Sequence, residues 1–250
     1  MLRTITRVLR SHLPAGCIVC GRAALADYSI CSNCEGELPR LTDCCDRCGI
    51  ELRGLGTGAG DNDGDDAGAI TCNSCLITPP SFHSCRAVFP YTSPINKLIA
   101  NFKFCARFDI GYALSRILAS EFNAYYGSSM PNLILPVPLH RQRHRERGFN
   151  QALEICRVIS AHCDVPISHS LLLKTRNTEA QTSMRSAVAR KANLRGAFAL
   201  QLSKNAQDVT HIALVDDVVT TMATVDTISR VLRSQWGCRI DVWCLARASR

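Results

Sequence analysis

Long hydrophobic runs are missing from this chain of 250 residues. No stretch of about 18 apolar residues occurs, so no membrane-spanning helix is expected. The first thirteen residues form a basic segment, 1–13, in which Arg3, Arg7 and Arg10 interrupt every apolar run. It therefore lacks the apolar core of a secretory signal, and the cytoplasm is the simplest compartment. Lysine is scarce as well, supplying 5 of the 29 basic side chains. The net charge of +8 thus rests on guanidinium groups, which favour bidentate contacts to phosphate and carboxylate. Phosphorylated ligands or nucleic acid are the partners such a chain suits. Large apolar side chains are also sparse between residues 14 and 85, so that segment cannot rely on an ordinary core.

Cysteine is what that segment has instead. Of 15 cysteines in the chain, eight fall into four Cys-x-x-Cys pairs: Cys17/Cys20, Cys31/Cys34, Cys45/Cys48 and Cys72/Cys75. Each pair sets two thiolates on one side of a tight turn, and Gly21 and Gly49 suit the turns they follow. Two such knuckles make a tetrahedral sulfur site of the kind zinc prefers, so four predict two structural zinc ions. Sequential pairing joins the first knuckle to the second and the third to the fourth; cross-braced pairing joins first to third and second to fourth. Sequential pairing, giving two ribbons, is the expectation, with Cys44 as an alternative ligand. Metal binding is then expected to supply much of the folding free energy, on the order of 10–16 kcal/mol per site in peptides. Residues 53–69 hold six Gly and four Asp and read as a flexible acidic insertion within the second ribbon. The Asp-x-Asp-Gly fragment inside it lacks the closing Glu of a calcium loop.

From residue 86 to 250 the pattern changes to alternating strands and helices. Cys85–Tyr91, Leu133–Val137 and Arg239–Ala246 read as strands. Ile95, Leu98, Ile99 and Phe102 follow helical spacing, as do Ala113, Leu114, Ile117, Leu118 and Phe122 within a helix over 109–126. Their aromatics, like Trp243, are expected in the core. The run Arg141-Gln-Arg-His-Arg-Glu-Arg147 reads as a loop, broken by Gly148 and Asn150 before a helix over 151–162. Four arginines in seven residues need a polyanion or open water. Positive residues recur over 174–193, which reads as a loop and short helix able to close over an anion.

The most informative stretch is Ile212-Ala-Leu-Val-Asp216-Asp217-Val-Val-Thr220-Thr221-Met222-Ala223-Thr224. Residues 211–217 read as a buried strand that the acid pair ends, and the hydroxyl-rich turn after it precedes a helical pattern over 222–235. Free N–H groups at a helix start, with Thr220, Thr221 and Thr224 beside them, make a phosphate cradle. Paired acids upstream suit vicinal sugar hydroxyls or a magnesium ion held through water. A phosphate site beside a diol site describes a ribose 5-phosphate pocket.

This stretch resembles the 5-phosphoribosyl-1-pyrophosphate (PRPP) motif of type I phosphoribosyltransferases. Met222 stands where that motif has Gly, and a Met in a left-handed conformation costs roughly 1–2 kcal/mol. The departure bears on turnover more than on binding. The whole chain resembles the ComF/GntX family: cysteine knuckles, then Pro136-Val-Pro-Leu139, Arg147-Gly-Phe-Asn-Gln151, Gln181, Arg190, Asn193, Phe198, the acid-pair loop and a closing Val-Trp-Cys-Leu-Ala-Arg strand. The resemblance implies an α/β fold: a type I phosphoribosyltransferase-like parallel sheet behind an N-terminal double zinc ribbon, with domains at 14–85 and 86–250. It implies that Asp216 and Asp217 meet the ribose and water-bound magnesium, and that Thr220, Thr221, Met222, Ala223 and Thr224 hold the 5-phosphate. It also implies that Arg147, Asn150 and Gln151 lie near the pyrophosphate. Purine-salvage relatives that carry Asp at the position of Thr220 use it for the base, so that mechanism is not expected here. The expected function is a phosphoribosyltransferase-like protein linked to competence and DNA utilisation. The alternative is a zinc-ribbon adaptor that contacts single-stranded DNA or DNA-uptake proteins.

Overall fold

The computed structural model describes residues 15–24, 29–52, 70–176, 194, 196–201 and 209–249. The acidic insertion 53–69 and the basic stretch with Gln181, Arg185, Arg190, Lys191 and Asn193 lie outside the described residues. The cysteine-rich part contributes a two-residue hairpin, β1 (Ala15–Gly16) and β2 (Ala23–Ala24), and two short helices, α1 (Ser32–Glu37) and α2 (Asn73–Ile77). Each helix starts directly after a ligand-type cysteine, Cys31 or Cys72.

The second part is built on four parallel strands in the order β3 (Ser84–Pro90), β8 (Arg239–Arg247), β7 (His211–Val219), β4 (Leu133–Pro136). Strand alternation divides the core into two layers. On β7, Ala213 and Val215 face one layer, whereas Ile212 and Leu214 face the other. The first layer takes the apolar stripes of α3 (Ile95–Cys105), α4 (Phe108–Tyr126) and α6 (Gln151–Cys163). The second takes Val225, Ile228 and Leu232 of α7 (Ala223–Trp236). A buried Leu or Ile stabilises by roughly 1.5–3 kcal/mol, so each stripe fixes its helix to the sheet. Gly111 lets α4 approach α3, since a Cβ there would lie 2.4 Å from the Phe102 ring. A small antiparallel pair, β5 (Leu172–Lys174) with β6 (Phe198–Leu200), adds to the second layer.

Two sequence expectations change. Residues 141–147 form a short helix, α5 (Arg141–Arg147), rather than a loop. His140 caps it by accepting from Gln142 N, and Gly148, at φ 78°, ends it in the left-handed region. The helix buries nothing, which is why apolar periodicity could not reveal it. Strand β7 also runs past the acids: Asp216 pairs in register with Cys244 and Val219 with Arg247. The acids are strand residues near the carboxyl end, with the loop confined to 220–222. At the opposite end of the sheet, buried Asp241 accepts from His211, Tyr126 and Ser84 at 2.7–2.9 Å. Burial alone would raise its carboxyl, but these bonds bring it down to about 2.

Candidate functional site

The eight knuckle cysteines gather in the sequential arrangement. The sulfurs of Cys17, Cys20, Cys31 and Cys34 lie within 4.8 Å of one another, and so do those of Cys45, Cys48, Cys72 and Cys75. Cys20 and Cys31 sulfurs are 3.9 Å apart, and those of Cys48 and Cys72 are 3.7 Å apart. A tetrahedral ion with bonds near 2.3 Å spaces its sulfurs at about 3.8 Å, whereas a disulfide needs about 2.05 Å. The donor set therefore fits zinc. The two clusters share a further detail: Cys17 Sγ accepts from Cys31 N at 3.5 Å, and Cys45 Sγ from Cys72 N at 3.3 Å. Burial raises both thiols, but main-chain N–H bonds outweigh it, bringing Cys17 down to about 6 and lowering Cys45. Cys44 stands outside both clusters; it pairs with Glu51 in a β-bridge.

The acid pair lies at the carboxyl end of β7. Asp217 is buried, and its Oδ1 lies 2.9 Å from Lys103 Nζ of α3. Asp216 keeps some exposure, yet protein crowds its carboxyl. That burial, together with the Asp217 charge, lifts it to about 7 against the pull of Lys103 and Lys174. Asp216 Oδ1 accepts from Asp217 N at 2.9 Å. Lys174 is itself brought down to about 8 by burial and by Arg143. Two of the five lysines of this arginine-rich chain thus act on one carboxylate pair.

The loop after β7 leads straight into α7. Met222 occupies the N-cap position at φ 63°, ψ −8°, and offers no side-chain acceptor to the first turn. The positive end of a 14-residue helix is thereby left without the usual capping oxygen of its N-cap residue. The Met222 side chain is used elsewhere: it packs against the apolar rim of the second cysteine cluster, beside Ile50 and Leu52. A cleft of about 350 Å³ opens beside this contact, lined by Ile50, Leu52, Cys72, Met222 and Arg247 among others.

The Arg147–Gln151 segment has its own local roles. Asn150 caps α6 through Ala152 N, while its Nδ2 donates to Val137 O at 3.1 Å. Gln151 is buried and accepts from Arg147 Nη1 at 3.2 Å. The Arg147 guanidinium lies 5.3 Å from the centre of the Phe104 ring. Phe104 follows Lys103, so adjacent residues of α3 reach the arginine segment and the acid pair.

A family model described as a double zinc ribbon domain matches residues 8–76. Competence protein F of Haemophilus influenzae is 34% identical over 236 residues, an alignment that covers 93% of this chain and 96% of that protein. The chain belongs to the ComF family. Its similar relatives include the DNA utilization protein YhgH of Escherichia coli K12, 33% identical over 94% of this chain and 98% of that protein. Competence protein ComFC of Bacillus subtilis is 26% identical over 82% of this chain and 78% of its own length. Among solved structures, the hypoxanthine phosphoribosyltransferase of Trypanosoma cruzi aligns over 55% of this chain and 65% of that one. The two share 12% identity at a TM-score of 0.34.

In this ComF-family chain, the structure thus gathers Asp216, Asp217 and the 220–224 loop at one end of the sheet. Sequence reading misses Lys103 as a partner of the acids, because the two lie 114 positions apart in the chain. It also missed Arg247, which looked like the last residue of an apolar strand. A charged residue at the end of an otherwise apolar strand was the available signal.

Proposed function

We infer that the protein binds a phosphorylated ribose, PRPP in the first place, at the carboxyl end of β7, in a process that serves DNA utilisation. The observation that carries this reading is the placement of two adjacent carboxylates near the carboxyl end of β7, shortly before a helix start whose N-cap residue contributes no capping oxygen. Asp216 and Asp217 would accept from the ribose hydroxyls. The first-turn N–H groups of α7, with Thr220, Thr221 and Thr224, would hold the 5-phosphate. Arg147 would meet the pyrophosphate, where guanidinium groups neutralise charge on a leaving anion. The carboxylate oxygens suit magnesium, although Lys103 already shares Asp217. Asp216 is the freer acid for a water-bound ion, which when bound would offset pyrophosphate charge. If a nucleophile enters, the reaction is phosphoribosyl transfer, with the protein chiefly positioning the reactants. Calorimetric titration with PRPP and magnesium tests the reading: saturable binding that Asp216→Asn removes is the expected result.

A second reading, a nucleic-acid-binding adaptor, is favoured by α5. This helix buries no residue and carries Arg141, Arg143, Arg145 and Arg147. Phosphate contacts of that kind weaken steeply with salt. Binding of single-stranded DNA that falls steeply between 50 and 200 mM salt, and weakens in Arg141→Ala/Arg145→Ala, would support it.

A further inference from the structure

Arg247 closes the last strand, and its side chain is only 2% exposed. The partners of its guanidinium are main-chain carbonyls from separate segments. Nε donates to Cys48 O at 2.9 Å. Nη1 donates to Val219 O at 3.1 Å, to Ala248 O at 2.8 Å and to Thr220 O. Cys48 belongs to the second cysteine cluster, and Val219 and Thr220 open the acid-pair loop. One planar cation therefore spans the metal knuckle and the loop.

Further contacts hold the second cluster to the loop and to β3. Met222 packs against the cluster of Cys45, Cys48 and Cys75, alongside Ile50 and Leu52. Gly49, at φ 64°, brings the knuckle so close to β3 that a Cβ would lie 2.6 Å from Cys85 O. Arg47 Nη1 donates to His83 O at 3.3 Å, and Arg86 lies 3.5 Å from Asp46. The first cluster makes none of these contacts to the 219–222 loop among the described residues.

We propose that Arg247 is a positioning residue through which the second metal site, and not the first, holds the acid-pair loop in its anion-binding shape. The left-handed Met222 is part of the same device: its side chain anchors the loop to the ribbon. Arginine is required because its fork reaches two carbonyl directions at once, from Nε and from Nη1. Lysine keeps the charge but offers a single nitrogen. The proposal concerns the site assigned above, but its first test is independent of any ligand.

That test is amide hydrogen exchange of the full-length, zinc-loaded protein, with zinc content measured on the same samples. Cys72→Ser is expected to lose one of two zinc equivalents and to speed exchange across 219–224 at least tenfold. Arg247→Lys is expected to keep both zinc ions and give a similar local increase. Amides of 212–215 serve as the control and should not change in either variant. Cys20→Ser should lose the other equivalent and leave 219–224 unchanged. Titration with PRPP on the same proteins is expected to show at least tenfold weaker binding for Cys72→Ser and Arg247→Lys alone. Unchanged exchange at 219–224 in Cys72→Ser, or an equal increase in Cys20→Ser, would overturn the proposal. If Arg247→Lys fails to fold, Met222→Ala carries the same expectation for 219–224. Absence of PRPP binding in the wild type would count against the phosphoribosyl reading and leave the exchange result to decide the coupling.

Discussion

At the scale of single residues, the acid pair decides the behaviour of the site. Asp216 is raised from an ordinary 3.8 to about 7, so its ionised form is disfavoured in the folded protein. The folded state then holds a proton that the unfolded chain has lost between pH 4 and 7. The resulting penalty is absent below pH 4, grows with pH and is complete above about pH 7. Asp216→Asn removes it while retaining an oxygen for Asp217 N. Thermal melts should therefore show a stability gain for Asp216→Asn that widens from pH 4 to pH 7 and then stays level. A gain equal at pH 4 and pH 8 would contradict this account. Lys103 has the opposite importance. Lys103→Met leaves the buried Asp217 beside Asp216 without its cation, and breaking a largely buried pair costs on the order of 3–5 kcal/mol. Denaturant unfolding at pH 8 should show a loss of that order, and Lys103→Arg should recover part of it.

At the scale of elements, the α/β part was legible because its signals are periodic. The stripe Ala113, Leu114, Ile117, Leu118 and Phe122 specified its helix, and the run 212–215 specified a strand buried on both faces. What stayed hidden depends on neighbours distant in sequence. The strand reading ends β7 at Asp217, where the apolar run gives way to acids; in the fold, β8 continues the ladder through Val219. The helix at 141–147 carries no apolar stripe to detect. Lys103 meets Asp217 across 114 positions, a pairing that no spacing within one helix encodes. Met222 at the motif glycine was legible as an outlier, and its left-handed backbone appears in the fold. The use of its side chain against the ribbon was not legible. The Cys45–Gly49 knuckle gives a prediction at this scale. Gly49→Ala combines a positive φ with a Cβ 2.6 Å from Cys85 O, so the ribbon must move off β3. Amide exchange across 45–52 should then be faster, with the amides of 212–215 unchanged.

At the scale of the molecule, two kinds of core meet. The parallel sheet carries two apolar layers, one of which also takes Ile30 and Leu38 of the first ribbon, whereas among the described residues the second cluster gathers Cys45, Cys48 and Cys75 with Ile50, Leu52, Cys72 and Met222 around it. The second ribbon should therefore depend on metal and the sheet should not. Removing zinc with a strong chelator is expected to release two equivalents and expose the knuckle cysteines to thiol reagents. Most of the far-ultraviolet helix signal should remain, since α4, α6 and α7 pack on the sheet. Loss of all secondary structure on chelation would mean that the two parts fold as one unit. The arrangement also explains why an arginine-rich member of the ComF family keeps lysines at its acid pair. A compact ammonium neutralises Asp217 without the reach of a guanidinium fork.

The most direct test of the central claim is calorimetric titration of the zinc-loaded protein with PRPP and magnesium, repeated on Asp216→Asn/Asp217→Asn. Saturable one-to-one binding by the wild type, abolished in the double variant while zinc content and the far-ultraviolet signal of the folded protein remain native, is the predicted result. No heat with the wild type, or equal binding by both proteins, would contradict a phosphoribosyl site at the end of β7.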